Sequence, residues 1–276
     1  MKVLVTGGLG YIGSHTCVEL SKNYTVVIAD NLINSKIEVL DRINSISHSK
    51  VIFEKIDLRI KKDVAQLFKN HPDISGIIHF AALKAVGESV EKPLLYYDNN
   101  INSLLNVLEL SQQINSKINF IFSSSCTVYG EPLKLPITEE EPIKKAFSPY
   151  GETKQICENI LYANSKLNKH LKSISLRYFN PIGAHESAMI GELPLGKPQN
   201  LIPYITQSVA GVREELTIFG DDYNTADGTC IRDYIHIIDL ADAHIKALEY
   251  LIKREFSTNE VFNIGTGKGT SVMEII

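Results

Sequence analysis

Residues 2–20 read KVLVTGGLGYIGSHTCVEL, and the way this stretch is parsed decides the fold. A short β-branched run predicts a strand, glycines follow at once, and a helix opens near Tyr11. The glycines fall as Gly8-x-Gly10-x-x-Gly13, extended by Gly7 to G-x-x-G-x-x-G. Missing β-carbons permit a tight turn and let the backbone approach a pyrophosphate, whose charge the helix N-terminus stabilises. The next β-branched run, TVVIAD, ends in Asp30. A carboxylate there would accept hydrogen bonds from the adenosine ribose hydroxyls and repel a 2′-phosphate, which favours NAD over NADP. Asp57 holds a similar place after the third run, in reach of an adenine or in position to cap the helix that follows.

Working outward, KVIFEKI, SGIIHF, INFIFSS and SISLRYF are further apolar, β-branched runs, each followed by a longer stretch of helical pattern. Strands of near-continuous hydrophobicity alternating with helices predict an α/β architecture, a doubly wound parallel sheet covered on both faces by crossover helices. Residues 1–180 are expected to form this unit. From Pro181 to Pro198 the chain turns Gly/Pro-rich, and a helix near 201–211 and short strands at LTIF and DYIHI follow. These predict a smaller α+β unit over 181–276, with segments such as 230–240 and 260–265 returning to the first. The sequence closes on GTSVMEII, the start of a helix without a stop signal.

With 276 residues, 44% of them hydrophobic, the chain can bury a substantial core. A net charge of -4 gives no overall attraction for nucleic acid or an anionic membrane, so any phosphate must be bound by a local site. Cys17, Cys126, Cys157 and Cys230 lack C-x-x-C spacing, as expected of reduced thiols in a cytoplasmic protein rather than of disulfides or zinc ligands. No stretch has the length of a membrane span. His236, Asp239 and His244 sit close in sequence, but are divided between a strand and the next helix, so structural roles are expected and no metal site.

The stretch SPYGETK, residues 148–154, carries the chemistry. Ser148 fits an N-cap and Pro149 the first helical position, which puts Tyr150 in the first turn and Lys154 on the same face. Bringing a phenol from about 10 toward neutrality takes about 3 pKa units, or roughly 4 kcal/mol. The lysine and a positively charged nicotinamide are expected to supply it together, making Tyr150 a general base on an alcohol that loses hydride. Ser125, at the end of the strand FIFSS, would hydrogen-bond the substrate hydroxyl and the phenol. Tyr162 and Lys166 repeat the spacing twelve residues on, displaced by about 18 Å along the helix and turned by about 120°, so the two pairs cannot serve one site.

Taken together, GGLGYIGSHT, DNLINS, HFAALKAVGESVEKPLLYYDNN, FSSSCTVYG, SPYGETK, RYFNPIGAH, NLIPYI and IRDYIHIIDLADAH resemble the extended short-chain dehydrogenase/reductases, and within them the UDP-galactose 4-epimerases. The resemblance runs over nearly the whole chain. It implies a Rossmann-like fold, a tightly held NAD, and interconversion of UDP-galactose and UDP-glucose through a 4-keto sugar with no net redox change. It also implies a homodimer built on helices near 94–112 and 150–166.

By motif position the resemblance assigns Tyr150, Ser125 and Lys154 to catalysis. Besides Gly7, Gly10, Gly13, Asp30 and Asp57, it brings Tyr11, Ile12, Asn31, Asn34, Ser35 and Leu58 to NAD. Phe80, Ala81, Ala82, Lys84, Asn99 and Phe179 complete that set, which Tyr150 and Lys154 share. Toward the UDP-sugar it places Asn180, Asn200, Leu201, Leu216, Phe219 and Lys84, with Arg232 on the diphosphate, and Ser125 and Tyr150 facing the sugar.

Cys126 stands where the resembling family commonly has alanine. That family also continues through further elements that complete the sugar pocket, so an incomplete substrate unit is expected. An NAD-binding homologue impaired in turnover is therefore the competing expectation. A dehydratase would need a carboxylic acid and a base beside the strand-end serine, where Cys126 and Thr127 stand instead.

Overall fold

The computed structural model describes residues 1–114, 117–168 and 170–276. The opening stretch forms β1 (Lys2–Thr6), a glycine turn and α1 (Tyr11–Leu20). Alternation continues through β2 (Thr25–Asp30), α2 (Glu38–Ser47), β3 (Ile52–Lys55), α3 (Lys61–Asn70) and β4 (Ile74–His79). Next come α4 (Val86–Glu91), α5 (Pro93–Ile114), β5 (Ile118–Ser123), α6 (Pro149–Leu167) and β6 (Leu171–Tyr178). The rest comprises β7 (Asn180–Ile182), α7 (Leu201–Val209), β8 (Ile231–His236), α8 (Ile237–Ile252), β9 (Thr258–Ile264), β10 (Gly269–Ser271) and α9 (Val272–Ile275).

Seven parallel strands form the main sheet in the order β3-β2-β1-β4-β5-β6-β9. The order reverses between β1 and β4, which opens a crevice at the carboxyl ends of the strands. Successive strand residues face opposite sides. Val3, Val5 and Ile28 therefore pack with Val18 of α1 and Leu248 and Leu251 of α8. Leu4, Val27 and Ile77 pack on the other face with Leu67, Phe68, Leu104 and Leu161. Burying each such side chain contributes roughly 1.5–3 kcal/mol, so both faces need their helices.

Residues beyond 180 complete this sheet. β9 pairs with β6 from Lys172↔Thr258 to Tyr178↔Ile264, and α8 covers the α1 side. The remaining strands make a small sheet in the order β10-β8-β7. The strand expected at LTIF does not form; residues 216–219 lie in an irregular segment between α7 and β8. A strand needs a partner edge, and both edges of β8 are taken, by β7 and by β10. Three glycines with positive φ, Gly211, Gly220 and Gly228, turn the chain through this segment instead. Among the described residues no helix is long and apolar enough to cross a membrane.

Candidate active site

The crevice is lined first by the glycine turn. Gly7 adopts φ +67, and a β-carbon there would lie 2.9 Å from the Ala81 nitrogen. A β-carbon on Gly13 would lie 2.3 Å from the Gly7 carbonyl oxygen, so α1 can sit this close to the turn only with glycine at that position. Gly10 caps α1 without a side-chain hydrogen bond, and the first turn of that helix has no acidic residue. Its amide groups and dipole are thereby free to receive a pyrophosphate. Asp30 ends β2, its Oδ2 accepting from the Leu9 amide (3.1 Å) and its Oδ1 from the Leu32 amide (2.8 Å) and the Ser35 hydroxyl (2.9 Å). A carboxylate has about four lone-pair sites, so this one is fixed in place and still has room for a ribose hydroxyl. These features fit a dinucleotide.

The neighbouring residues of this reading gather along the same sheet edge. Tyr11 and Ile12 open α1, and the Tyr11 hydroxyl donates to the Gly183 carbonyl at 2.6 Å. Asn31, Asn34 and Ser35 follow β2, and Asp57 and Leu58 follow β3. Asp57 is not a helix cap, since Ile60 holds the N-cap position of α3. It binds the side chain and amide of Arg59, and that guanidinium holds its carboxyl below the usual range. Phe80, Ala81, Ala82 and Lys84 leave β4, Asn99 is buried on α5, and Phe179 and Asn180 leave β6.

At the catalytic end, Ser148 caps α6 by accepting from the Gly151 amide, with Pro149 in its first turn. Tyr150 is 9% exposed and Lys154 3%, both facing the end of β5. Ser125 hydrogen-bonds the Tyr150 phenol, which favours its ionised form. Burial nevertheless dominates and pushes the phenol well above the usual tyrosine range, with Tyr178 adding to the effect. The sequence reading assigns the lowering to Lys154 and a nicotinamide together; in the chain by itself burial outweighs what lowers the phenol, and Lys154 is not among the groups acting on it. Lys154 Nζ donates to the Ser123 carbonyl at 2.7 Å and stands 5.8 Å from the Tyr150 ring centre, and burial brings the ammonium itself down to about 8. His79, behind it, is held neutral by burial, its pKa brought down to about 3. The second pair is of another kind: Tyr162 is 51% exposed, with Lys166 Nζ 4.1 Å from its ring centre, a surface cation–π contact.

Of the residues expected to meet the substrate, Asn200 is the N-cap of α7, Leu201 its first residue, and Arg232 lies exposed on β8. Asn180 Nδ2 donates to the Asp233 carbonyl at 3.2 Å, tying β7 to β8. Leu216 and Phe219 lie in the irregular segment, Phe219 86% exposed. Glu192 escaped the sequence reading: its Oε1 accepts from Lys84 Nζ (3.0 Å) and Asn200 Nδ2 (2.6 Å), joining the segment after β4 to the start of α7. No local spacing announces it, because Lys84 lies 108 residues away. Cys126 is half-buried beside the serines, its thiol raised to about 11 chiefly by desolvation and so kept protonated. His236 caps α8 by accepting from the Ile238 amide, and His244 is buried against Phe80 and Tyr178.

Comparison with known proteins matches residues 3–265 to the NAD dependent epimerase/dehydratase family. A UDP-glucose 4-epimerase of Schizosaccharomyces pombe is 51% identical over 279 residues, covering 99% of this chain and 78% of the relative. A UDP-glucose 4-epimerase of Neisseria meningitidis is 48% identical, covering 100% of this chain and 80% of that protein. Among solved structures, the UDP-glucose 4-epimerase of Bifidobacterium longum, in complex with NAD+ and UDP, has a TM-score of 0.95 at 45% identity and covers 100% of this chain and 81% of its own. That of Stenotrophomonas maltophila, with bound NAD and formylated UDP-arabinopyranose, has a TM-score of 0.94 at 46% identity, with the same coverage.

Proposed function

Since the chain belongs to the NAD dependent epimerase/dehydratase family, we propose that it is an NAD-dependent UDP-glucose 4-epimerase, interconverting UDP-galactose and UDP-glucose by reversible oxidation at the sugar C4. The observation that carries this reading is the buried Ser125–Tyr150–Lys154 cluster at the same sheet edge as the glycine turn and Asp30. NAD, when bound, supplies the hydride acceptor and donor, and on its nicotinamide ring a positive charge that opposes the burial cost of a phenolate. Gly7, Gly10, Gly13 and Asp30 hold the dinucleotide, and Lys154 serves its nicotinamide ribose. Tyr150 takes the proton from the 4-hydroxyl and returns it once the 4-keto sugar has presented its other face, while Ser125 orients that hydroxyl. Arg232 receives the diphosphate, for which a guanidinium fork is suited, and Asn180, Asn200 and Leu201 hold the rest of the nucleotide-sugar.

In this reading residues 1–180 are the NAD unit, and 181–276 supply the UDP-sugar side while returning α8 and β9 to the main sheet. Two copies pair through α5 and α6, on which Leu94 is 81% and Leu167 89% exposed. The four free cysteines suit a cytoplasmic location. Incubation of the purified protein with UDP-galactose, with UDP-glucose followed by a coupled assay, is expected to show conversion. NAD retained without any conversion would instead make the protein a binding homologue.

A further inference from the structure

Tyr150, Lys154 and Glu158 recur every four residues on α6, each step rising about 6 Å and drifting about 40° around the axis, so they form one slanting stripe. All three are buried, Glu158 at 7% exposure. The stripe meets three consecutive serines at the end of β5, where the chain bends so that each serine finds a partner. Ser125 bonds Tyr150, the Ser123 carbonyl receives Lys154 Nζ, and the Ser124 hydroxyl donates to Glu158 Oε1 at 2.5 Å. Glu158 is gripped from β6 by both arms of Arg177, Nε to Oε1 at 3.0 Å and Nη2 to Oε2 at 2.5 Å. Arg177 Nη1 donates in turn to the Tyr129 hydroxyl (3.0 Å), which donates to Asn263 Oδ1 (2.7 Å) on β9.

We propose that Glu158 is a positioning residue for the reaction: through Ser124 it registers the serine segment against α6, and it places a carboxylate one turn beyond Lys154 on the same stripe. The proposal rests on the assignment of Tyr150 and Lys154 as the reacting pair. A buried ion pair is a costly way to hold a helix, and well-packed apolar residues of similar volume often do so as well. Charge placed here therefore points to a use beyond packing: Arg177 pairs with the carboxylate, and Lys154 stands one turn away from it on the same stripe. Burial opposes the charged form of Lys154, and Glu158 favours it; Cys157 carries no charge to do so, its own thiol being raised to about 12 by burial. The other charged or titratable groups around the site are Arg177 on β6, which is paired with Glu158, His79 on β4, Tyr178 on β6 and Tyr96 on α5. His79 is neutral and both phenols are raised, so none of them replaces the carboxylate.

The test is a double variant, Glu158→Met with Arg177→Met, which removes both charges while keeping the volume, so that the fold is preserved. Lys154 is titrated by NMR of 13C-labelled lysine in the dinucleotide-free protein, its signal assigned by its loss in Lys154→Met. The wild-type midpoint is expected near about 8. In the double variant it falls, by less than the roughly one unit that loss of a lone carboxylate would give, because the Arg177 cation leaves together with Glu158. The alkaline limb of the kcat profile moves down with it, since the ammonium is now lost at lower pH. A folded double variant whose midpoint and alkaline limb match the wild type would overturn the proposal and leave Glu158 a packing residue. The titration reads Lys154 whether or not UDP-galactose is turned over, so failure of the epimerase reading is seen separately, in the coupled assay.

Discussion

Tyr150→Phe is expected to lower the conversion of UDP-galactose by about 10³-fold or more, the range of a lost general acid–base group. The ring stays, so its packing with Leu83 and Tyr96 and the start of α6 are kept. What is lost is the phenolic oxygen that Ser125 bonds and that exchanges the proton with the sugar. Bound NAD should be retained, because the glycine turn and Asp30 are untouched. Tyr162→Phe is the control: that ring is half exposed and its hydroxyl serves no buried group, so its kcat should stay within about twofold of the wild type. Equal losses in the two variants would mean that the base is assigned to the wrong tyrosine.

The second large effect is on stability. Glu158→Met alone leaves Arg177, 4% exposed, without its carboxylate and with only the Tyr129 hydroxyl among these bonds. An uncompensated buried charge of this kind costs about 3–5 kcal/mol, a large share of the stability of an ordinary domain. Urea unfolding of the dinucleotide-free protein should show a clearly lower midpoint with an unchanged slope. Adding Arg177→Met should restore most of it. A loss below about 1 kcal/mol in the single variant would show that water reaches the guanidinium.

What could be read in the sequence was local. Residues 2–20 carry strand, turn and helix in one stretch, because a Gly-rich connection between an apolar run and a helix leaves few conformations open. The Ser148 cap and Pro149 likewise fixed the start of α6 within a few residues. Partnerships across the sequence were not legible. LTIF alternates as a strand should, yet the edges of β8 are occupied by β7 and β10, which no local pattern reveals. Glu192 meets Lys84 across 108 residues, and Glu158 meets Ser124 across 34. The phenol shows the same limit: Y-x-x-x-K spacing says that an ammonium is near, whereas the depth of burial, which dominates, depends on everything packed around it.

The central claim is that Tyr150, disfavoured as a phenolate in the protein alone, becomes the proton acceptor beside the cofactor. Its most direct test is the titration of the Tyr150 ring, 13C-labelled at Cζ, in the dinucleotide-free and NAD-loaded protein. Without NAD the midpoint should lie above that of free tyrosine, about 10, because burial opposes the charge. With NAD it should fall below that value, toward neutrality. An NAD-loaded midpoint at or above that of free tyrosine would contradict the account.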